Sequence, residues 1–376
     1  MILIAIIIII LFYLTLIGSF IYGFGRIAPF QLEDVPPKTT FSVVIPFRDE
    51  AENLPQLLQT IFAIQYPKHL FEIIFVDDFS EDDSVKTINN FKAETNFKNI
   101  RIVKNERQSN APKKDAITKA IDLAQYDWII TTDADCILPK YWLGSFDAYI
   151  QKNQVSCIVA PITYQVNPRF LQQFQLLDIM SLQGATIGSF GISFPFLCNG
   201  ANFAYKKELF HELNEFENNN NIASGDDIFL LEKALKANAK QVHYLKCKQA
   251  IVTTYPQPSW PALISQRKRW AAKINAYNNG FGKITGFLVL LMNALLICSL
   301  IFTVFDSIKF MILCYILMIK FSIDFILIFK AAAFLNKKIH LKSYILSFIL
   351  YPFFSVYIAF ASMFGGFKWK GRAYSK

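Results

Sequence analysis

Three short charged clusters in this 376-residue chain are of types that could do chemistry: Arg48-Asp49-Glu50, Asp77-Asp78 and Asp133-Ala-Asp135. In the last of these, two carboxylates stand close together with only an alanine between them. Such a pair suits a hard divalent cation, Mg²⁺ or Mn²⁺, which takes few protein carboxylates and completes its shell with phosphate oxygens. A cation held there would neutralise a departing diphosphate as a Lewis acid. Alone, the tripeptide carries little information, because it recurs by chance on protein surfaces. Its placement must be argued from the elements around it.

Other residues offer complementary chemistry, each with a structural alternative. Ser80-Glu-Asp-Asp83 reads as a turn and helix start, where acids and a hydroxyl are favoured. Asp77 and Asp78 precede it and could accept hydrogen bonds from a nucleobase or ribose, Asp78 being nearer the mouth of such a site. Pro46 ends a strand, and Glu50 stands where the next helix begins. Lys113 and Lys114 open a helical stretch, where a lysine meets either a phosphate or water. Gly225-Asp226-Asp227 heads an apolar-periodic run. Its acids serve as a general base toward an acceptor hydroxyl, or complement a helix dipole. Finally, Gln266-Arg-Lys-Arg-Trp270 puts Gln266 and Arg269 on one helical face with Trp270 adjacent. That set would contact a diphosphate and stack on an acceptor sugar, or form a basic, aromatic belt at a membrane surface.

The elements that must carry these residues alternate between strand and helix. Phe41–Ile45, Phe71–Val76, Asn99–Val103 and Trp128–Thr132 are short runs rich in β-branched and aromatic residues. Between them, Leu54, Leu57, Leu58 and Ile61 mark one helix, and Lys113 to Leu123 has helical period. Alternation of this kind predicts βαβ units and a mostly parallel sheet, an α/β fold. Ligands bind beyond the carboxyl ends of the strands in such sheets, and all three acidic clusters fall at strand ends.

Composition adds a membrane. The chain is 53% hydrophobic and its mean hydropathy is positive, which is unusual for a soluble protein. The excess is concentrated in Met1–Phe24, Ile284–Phe305, Ile308–Phe329 and Tyr344–Phe367, each long enough to cross a bilayer as a helix. The first lacks the basic start and small-residue cleavage site of a signal peptide and reads as a retained anchor. The expected organisation is an anchor over 1–25, a cytosolic domain over 38–280 with an interfacial segment near 259–280, a block of about three helices over 283–367, and a basic tail over 368–376.

The net charge of +9 is explained without nucleic acid. Arg26, Lys38, Arg267, Lys268, Arg269, Lys273 and Lys283 flank the spans on the soluble-domain side, which by the positive-inside rule places that domain in the cytosol. The basic tail, after three spans, runs against the rule. Six cysteines without a CxxC pair and four scattered histidines give neither a disulfide framework nor a zinc site. Glu217–Asn221 reads as a short loop. Lys320 and Asp324, four apart inside an apolar block, would suit a transporter, or simply neutralise one another along one helix.

Taken together and in order, these motifs resemble the family 2 glycosyltransferases of GT-A fold, a group that includes polysaccharide synthases and lipid glycosyltransferases. Val43-Val-Ile-Pro-Phe-Arg-Asp-Glu50 is similar to the family's opening strand, with Pro46 and Glu50 toward the nucleotide. Phe75-Val-Asp-Asp-Phe-Ser80 resembles its Val-Asp-Asp-Gly-Ser motif, with Phe79 in place of glycine. Pro112–Lys119 assigns Lys113 to the nucleotide side, and Asp133-Ala-Asp135 looks like the Asp-x-Asp, so that Asp133 and Asp135 would hold the metal. Asn199-Gly200-Ala-Asn-Phe203 resembles the acceptor-lining strand. Gly225-Asp226-Asp227 stands where the base lies, Asp227 foremost, and Gln266-x-x-Arg269-Trp270 matches the Q-x-x-R-W of membrane-integrated members. The resemblance implies inverting transfer from a nucleotide-sugar, expected to be a UDP-sugar, to a lipid or glycan acceptor at the cytosolic face of a bacterial-type cell (inner) membrane. Membrane lipids are the expected surroundings, and Mg²⁺ or Mn²⁺ the cofactor. So few spans favour a single sugar placed on a lipid-borne acceptor over a processive polymer.

Overall fold

Phe41–Phe47 (β1) and Phe71–Asp77 (β2) are apolar on both faces and buried almost throughout, as central parallel strands must be. Ile100–Lys104 (β3) and Trp128–Thr131 (β4) join them, followed by Cys157–Val159 (β5), Ile162–Tyr164 (β6), Phe203–Lys206 (β7), Val242–Tyr244 (β8) and Val252–Thr254 (β9). A computed structural model of the protein describes residues 2–95, 97–213, 225–272, 278–363, 367–369 and 372–374. The short loop expected at 217–221, Ser224, Lys273 and part of the basic tail lie outside the described residues. The chain divides into two compact units: one of residues 28–165 and 197–255, the other of residues 1–27, 166–196 and 256–376.

The first unit is the α/β domain. Its seven-stranded sheet runs β3-β2-β1-β4-β7-β5-β8. The pairs β2–β3, β1–β2, β1–β4 and β5–β8 are parallel, and β7 is antiparallel to both neighbours. In the helix Leu54–Phe62, Leu54, Leu57, Leu58 and Ile61 form one fully buried stripe, as their spacing predicts. A small parallel pair, β6 with β9, lies apart from the main sheet, and Ile137 bridges to Thr253 in it.

Two local expectations are corrected here. Pro46 does not end β1, which continues to Phe47 opposite Asp77. β4 pairs with β1 only as far as Val44, so Pro46 stands where the strand is bonded on one side and its missing N–H costs little. Asn199–Phe203 is not a strand along its length. Asn199 caps a 3-10 turn at Gly200–Asn202 through its side chain, and the strand starts at Phe203.

The second unit is helical: Ile2–Arg26, Phe170–Gly191, Trp260–Ala272, Gly280–Val304, Phe310–Phe334 and Tyr344–Met363. Among the described residues four helices are long and apolar enough to cross a membrane, one near the N-terminus and three near the C-terminus. The contiguous domain expected over 38–280 is interrupted, because Phe170–Gly191 packs on Ile2–Arg26 within the helical unit. Glycine permits that approach: a Cβ at Gly23 would stand 2.1 Å from the Gly188 carbonyl oxygen, and one at Gly191 would stand 1.9 Å from that of Gly23. Phe170–Gly191 is also tied to Trp260–Ala272. The Gln175 side-chain amide exchanges two hydrogen bonds with the Gln257 backbone, at 2.9 and 2.8 Å. Further along, Arg267 and Asp178 form a buried ion pair at 2.7 Å, with the guanidinium lying over the Trp270 ring. Lys320 pairs with Asp324, which also accepts from the Tyr13 hydroxyl at 2.6 Å, so the charges within this apolar helix neutralise one another.

Candidate functional site

The parallel register brings the ends of β1, β2 and β4 to one edge of the sheet, and each continues directly into an acidic loop. The loops after β1 and β2 interlock through side chains. Asp49 N–H donates to Ser80 Oγ, Glu50 N–H to Ser84 Oγ, and Ala51 N–H to Asp82. In return Glu81 N–H donates to Asp49. Arg48 reaches across to the carbonyls of Asp78 and Phe79 and pairs with Glu81 at 3.1 Å. Phe79 adopts a φ of 60°, a left-handed conformation that a bulky residue enters only at some cost. Its ring is half exposed beneath the Arg107 guanidinium, 4.6 Å away. Asp82 is drawn down from the ordinary carboxylate range: its slight burial works against this, but hydrogen bonds from the Ser84 hydroxyl and the Ala51 and Ser84 amides outweigh it.

Asp78 is buried at the end of β2. Its Oδ1 accepts from Asn105 Nδ2 and from Arg107 Nε, both at 2.8 Å. Neither Asn105 nor Arg107 belongs to a motif singled out above. They follow β3, the third strand of the parallel set, and the strand-end rule applied to that strand would have pointed to them. Among the described residues, the buried Asn105 Oδ1 has no hydrogen-bond partner.

The second half of the site converges around one lysine. Lys113, on the first turn of the helix Pro112–Leu123, places Nζ 2.8 Å from Asp133 Oδ1 and 3.4 Å from Asp226 Oδ2. Burial alone would lower the Lys113 ammonium, but the carboxylates of Asp133, Asp226 and Asp227 outweigh it and hold the group above its ordinary value. Asp226 and Asp227 open the helix Asp226–Asn238, preceded by Gly225 at a φ of 93°, a backbone conformation suited to glycine. Asp227 is fixed by backbone donors, Gly200 N–H to Oδ2 and Ile228 N–H to Oδ1, both 2.9 Å. Gly200 is held in turn by Thr131, whose hydroxyl donates to its carbonyl at 2.7 Å. The neighbouring Asn202 is saturated by Trp142, Pro161 and Ala250. Lys114, next to Lys113, is buried with its ammonium over the Phe229 ring.

Asp135 is half-buried beside Thr254, which the β6–β9 pair supplies. Burial, then the negative charges of Asp133 and Glu50, push it up to about 7. Among the described residues no three His, Cys, Asp or Glu side chains form a ready-made metal cage. The donor set fits a different kind of site: two oxygen-only carboxylates in an excess of negative charge, able to share a hard cation with phosphate and water. Asp78, Lys113, Asp133, Asp135, Gly200, Asp226, Asp227, Pro46 and Glu50 thus all lie in the α/β unit. Gln266, Arg269 and Trp270 lie on Trp260–Ala272, in the helical unit.

Comparison with known proteins defines the class. The profile described as Glycosyl transferase family 2 matches residues 42–213, and that described as Glycosyl transferase family group 2 matches residues 128–361. The chain belongs to the family 2 glycosyltransferases, and its mostly parallel sheet is the GT-A fold. It is similar to the poly-β-1,6-N-acetyl-D-glucosamine synthase of Staphylococcus epidermidis, 25% identical over 146 residues. That stretch is 35% of this chain and 32% of the synthase, so the match spans about a third of the relative's length. The poly(ribitol-phosphate) β-N-acetylglucosaminyltransferase TarS of Staphylococcus aureus is 26% identical over 113 residues, 30% of this chain and 19% of that protein. Among solved structures, the mannosyltransferase PcManGT from Pyrobaculum calidifontis, in complex with GDP-Man and Mn²⁺, aligns with a TM-score of 0.52 at 16% identity. The alignment covers 95% of this chain and 96% of that one, and the likeness is one of fold.

Proposed function

We propose that this glycosyltransferase transfers a sugar, with inversion, from a nucleotide diphosphate-sugar to a lipid or lipid-linked acceptor at the cytosolic face of a cell membrane. The observation that carries the reading is the convergence of Lys113, Asp133 and Asp226 at the strand ends, with Asp135, Glu50 and Asp227 around them. Asp78, steadied by Asn105 and Arg107, takes the nucleoside, with Pro46 and Glu50 on the same side. Asp133 and Asp135 would hold Mg²⁺ or Mn²⁺ together with the diphosphate. When bound, the cation supplies Lewis-acid neutralisation of the departing nucleotide.

The acids of Asp226–Asn238 serve the acceptor. Its hydroxyl oxygen attacks the anomeric carbon, the bond to the diphosphate breaks, and the hydroxyl proton passes to a carboxylate of Asp227 or Asp226. The Gly200 and Ile228 amides hold Asp227 in one orientation for that task. Gln266, Arg269 and Trp270 are proposed for the diphosphate and acceptor on the ground of the motif resemblance alone. The four apolar helices support a lipid-borne acceptor. The likeness to polysaccharide synthases keeps short-polymer synthesis as a second reading.

The test is a screen of the purified full chain with Mn²⁺ or Mg²⁺ against UDP-GlcNAc, UDP-glucose and GDP-mannose in the presence of membrane lipid extract, with products read by mass spectrometry. One added hexose or N-acetylhexosamine mass on a lipid supports the first reading, and a ladder of such masses supports the second. Transfer only to water-soluble acceptors would overturn the lipid assignment.

A further inference from the structure

Lys113 connects groups that have separate tasks in the proposed reaction. Its Nζ lies 2.8 Å from Asp133, on the donor side, and 3.4 Å from Asp226, on the acceptor side. The space is confined: a Cβ added at Gly200 would stand 3.6 Å from this Nζ and 3.2 Å from Asp226 Oδ2. The ammonium therefore already lies against the carboxylate that a divalent cation would need, and against an acid that an acceptor would need.

We propose that Lys113 is an internal counter-ion, standing in for the divalent cation at Asp133 until a nucleotide diphosphate arrives and then moving to the diphosphate, which withdraws the ammonium from Asp133 and Asp226 together. The inference rests on the donor-site reading above. No proton changes hands and no covalent bond is made; one cation exchanges its carboxylate partners for phosphate oxygens. Two consequences follow from the geometry. A divalent cation alone must compete with an ammonium bonded to Asp133, so it binds weakly. Nucleotide relieves that competition, so metal and nucleotide each tighten the binding of the other by the same factor. The coupling also orders the reaction, because Asp226 gives up its ammonium only after the donor is seated.

The experiment measures Mn²⁺ binding to the full chain by electron paramagnetic resonance, with Mn²⁺ alone and with UDP or GDP added. A neighbouring cation shifts a carboxylate's affinity for positive charge by one to three powers of ten, so Lys113→Met should bind Mn²⁺ alone about tenfold or more tightly than wild type. Lys113→Arg, which keeps the charge, should stay near wild type. Nucleotide should tighten Mn²⁺ binding strongly in wild type and little in Lys113→Met. Asp135→Ala should lose Mn²⁺ in every condition, which ties the signal to this site. Lys113→Gln carries the same expectation as Lys113→Met and serves if the methionine variant misfolds. The proposal is overturned if Mn²⁺ binds the uncharged variants no more tightly than wild type while nucleotide still tightens wild type; the donor-site reading then stands. If no protein binds Mn²⁺ with or without nucleotide, the donor-site reading fails and takes the counter-ion with it.

Discussion

Around Lys113 in the α/β unit, Asp133 and Asp226 share one ammonium, with Asp227 acting on it too and Asp135 crowded by Asp133 and Glu50. Around Arg267 in the helical unit, one buried guanidinium meets one buried carboxylate, Asp178, and an aromatic face covers the pair. Both clusters are built from acids and a base, yet the first carries excess negative charge and the second is matched. Excess charge at a half-exposed strand end is tolerated because water and an incoming cation share its cost. Matched charge between helices needs no visitor, and breaking it leaves a buried ion without its counter-charge. The difference separates the proposed binding site from a joint that holds.

That separation can be broken or sharpened by substitution. Asp135→Ala should cut sugar transfer by about a thousandfold or more, the scale of losing a principal electrostatic contact in a reacting site. Its thermal unfolding midpoint should stay level or rise, since like charges are relieved; a large fall would place Asp135 among the structural residues. Arg267→Ala should do the opposite and destabilise the protein by about 3–5 kcal/mol. Asp178→Leu combined with Arg267→Met should recover most of that loss in thermal unfolding, and a double variant as unstable as the single would show that the pair is not the joint described.

A smaller effect is expected at Asp78, whose carboxylate is held by Asn105 and Arg107. Asp78→Ala should raise the KM for the nucleotide-sugar by about tenfold with kcat nearly unchanged, as for a contact made equally in ground and transition states. A fall in kcat at constant KM would move Asp78 to the reacting centre. The smallest effect belongs to Asp82. Its folded carboxyl lies below the ordinary value, so the stability it contributes is present above about pH 4 and fades as pH falls through the lower folded value. Asp82→Asn should be slightly less stable than wild type at neutral pH, and the gap should close in acid. A gap that widened in acid would contradict the hydrogen-bonding assignment.

The sheet was legible because β1, β2 and β4 are rich in β-branched and aromatic residues and each runs into an acidic loop. The three clusters could be placed at strand ends without coordinates. Asn105 and Arg107 were not legible, since polar residues between a strand and a helix carry no period of their own. The meeting of Lys113 with Asp226 is a contact over a long sequence separation, and local pattern does not reach that far. Phe170–Gly191 carries one charge among many Leu, Ile, Phe and Gln residues, so its sequence reads equally as a core or an interfacial helix. What places it in the helical unit is a contact of glycines, Gly23 with Gly188 and Gly191, which composition does not announce.

The route of the chain between the two units has a consequence for how the protein is made. Helix Phe170–Gly191 lies in the middle of the catalytic sequence but packs with Ile2–Arg26, so the chain passes between units at 27/28, 165/166, 196/197 and 255/256. During synthesis the first helix leaves the ribosome well before its partner and must wait, its glycine face uncovered, until residues beyond 191 emerge. An excised fragment of residues 28–255 would keep this apolar helix without the surface it was built for. It should be recovered as aggregate or detergent-bound material rather than as a soluble enzyme.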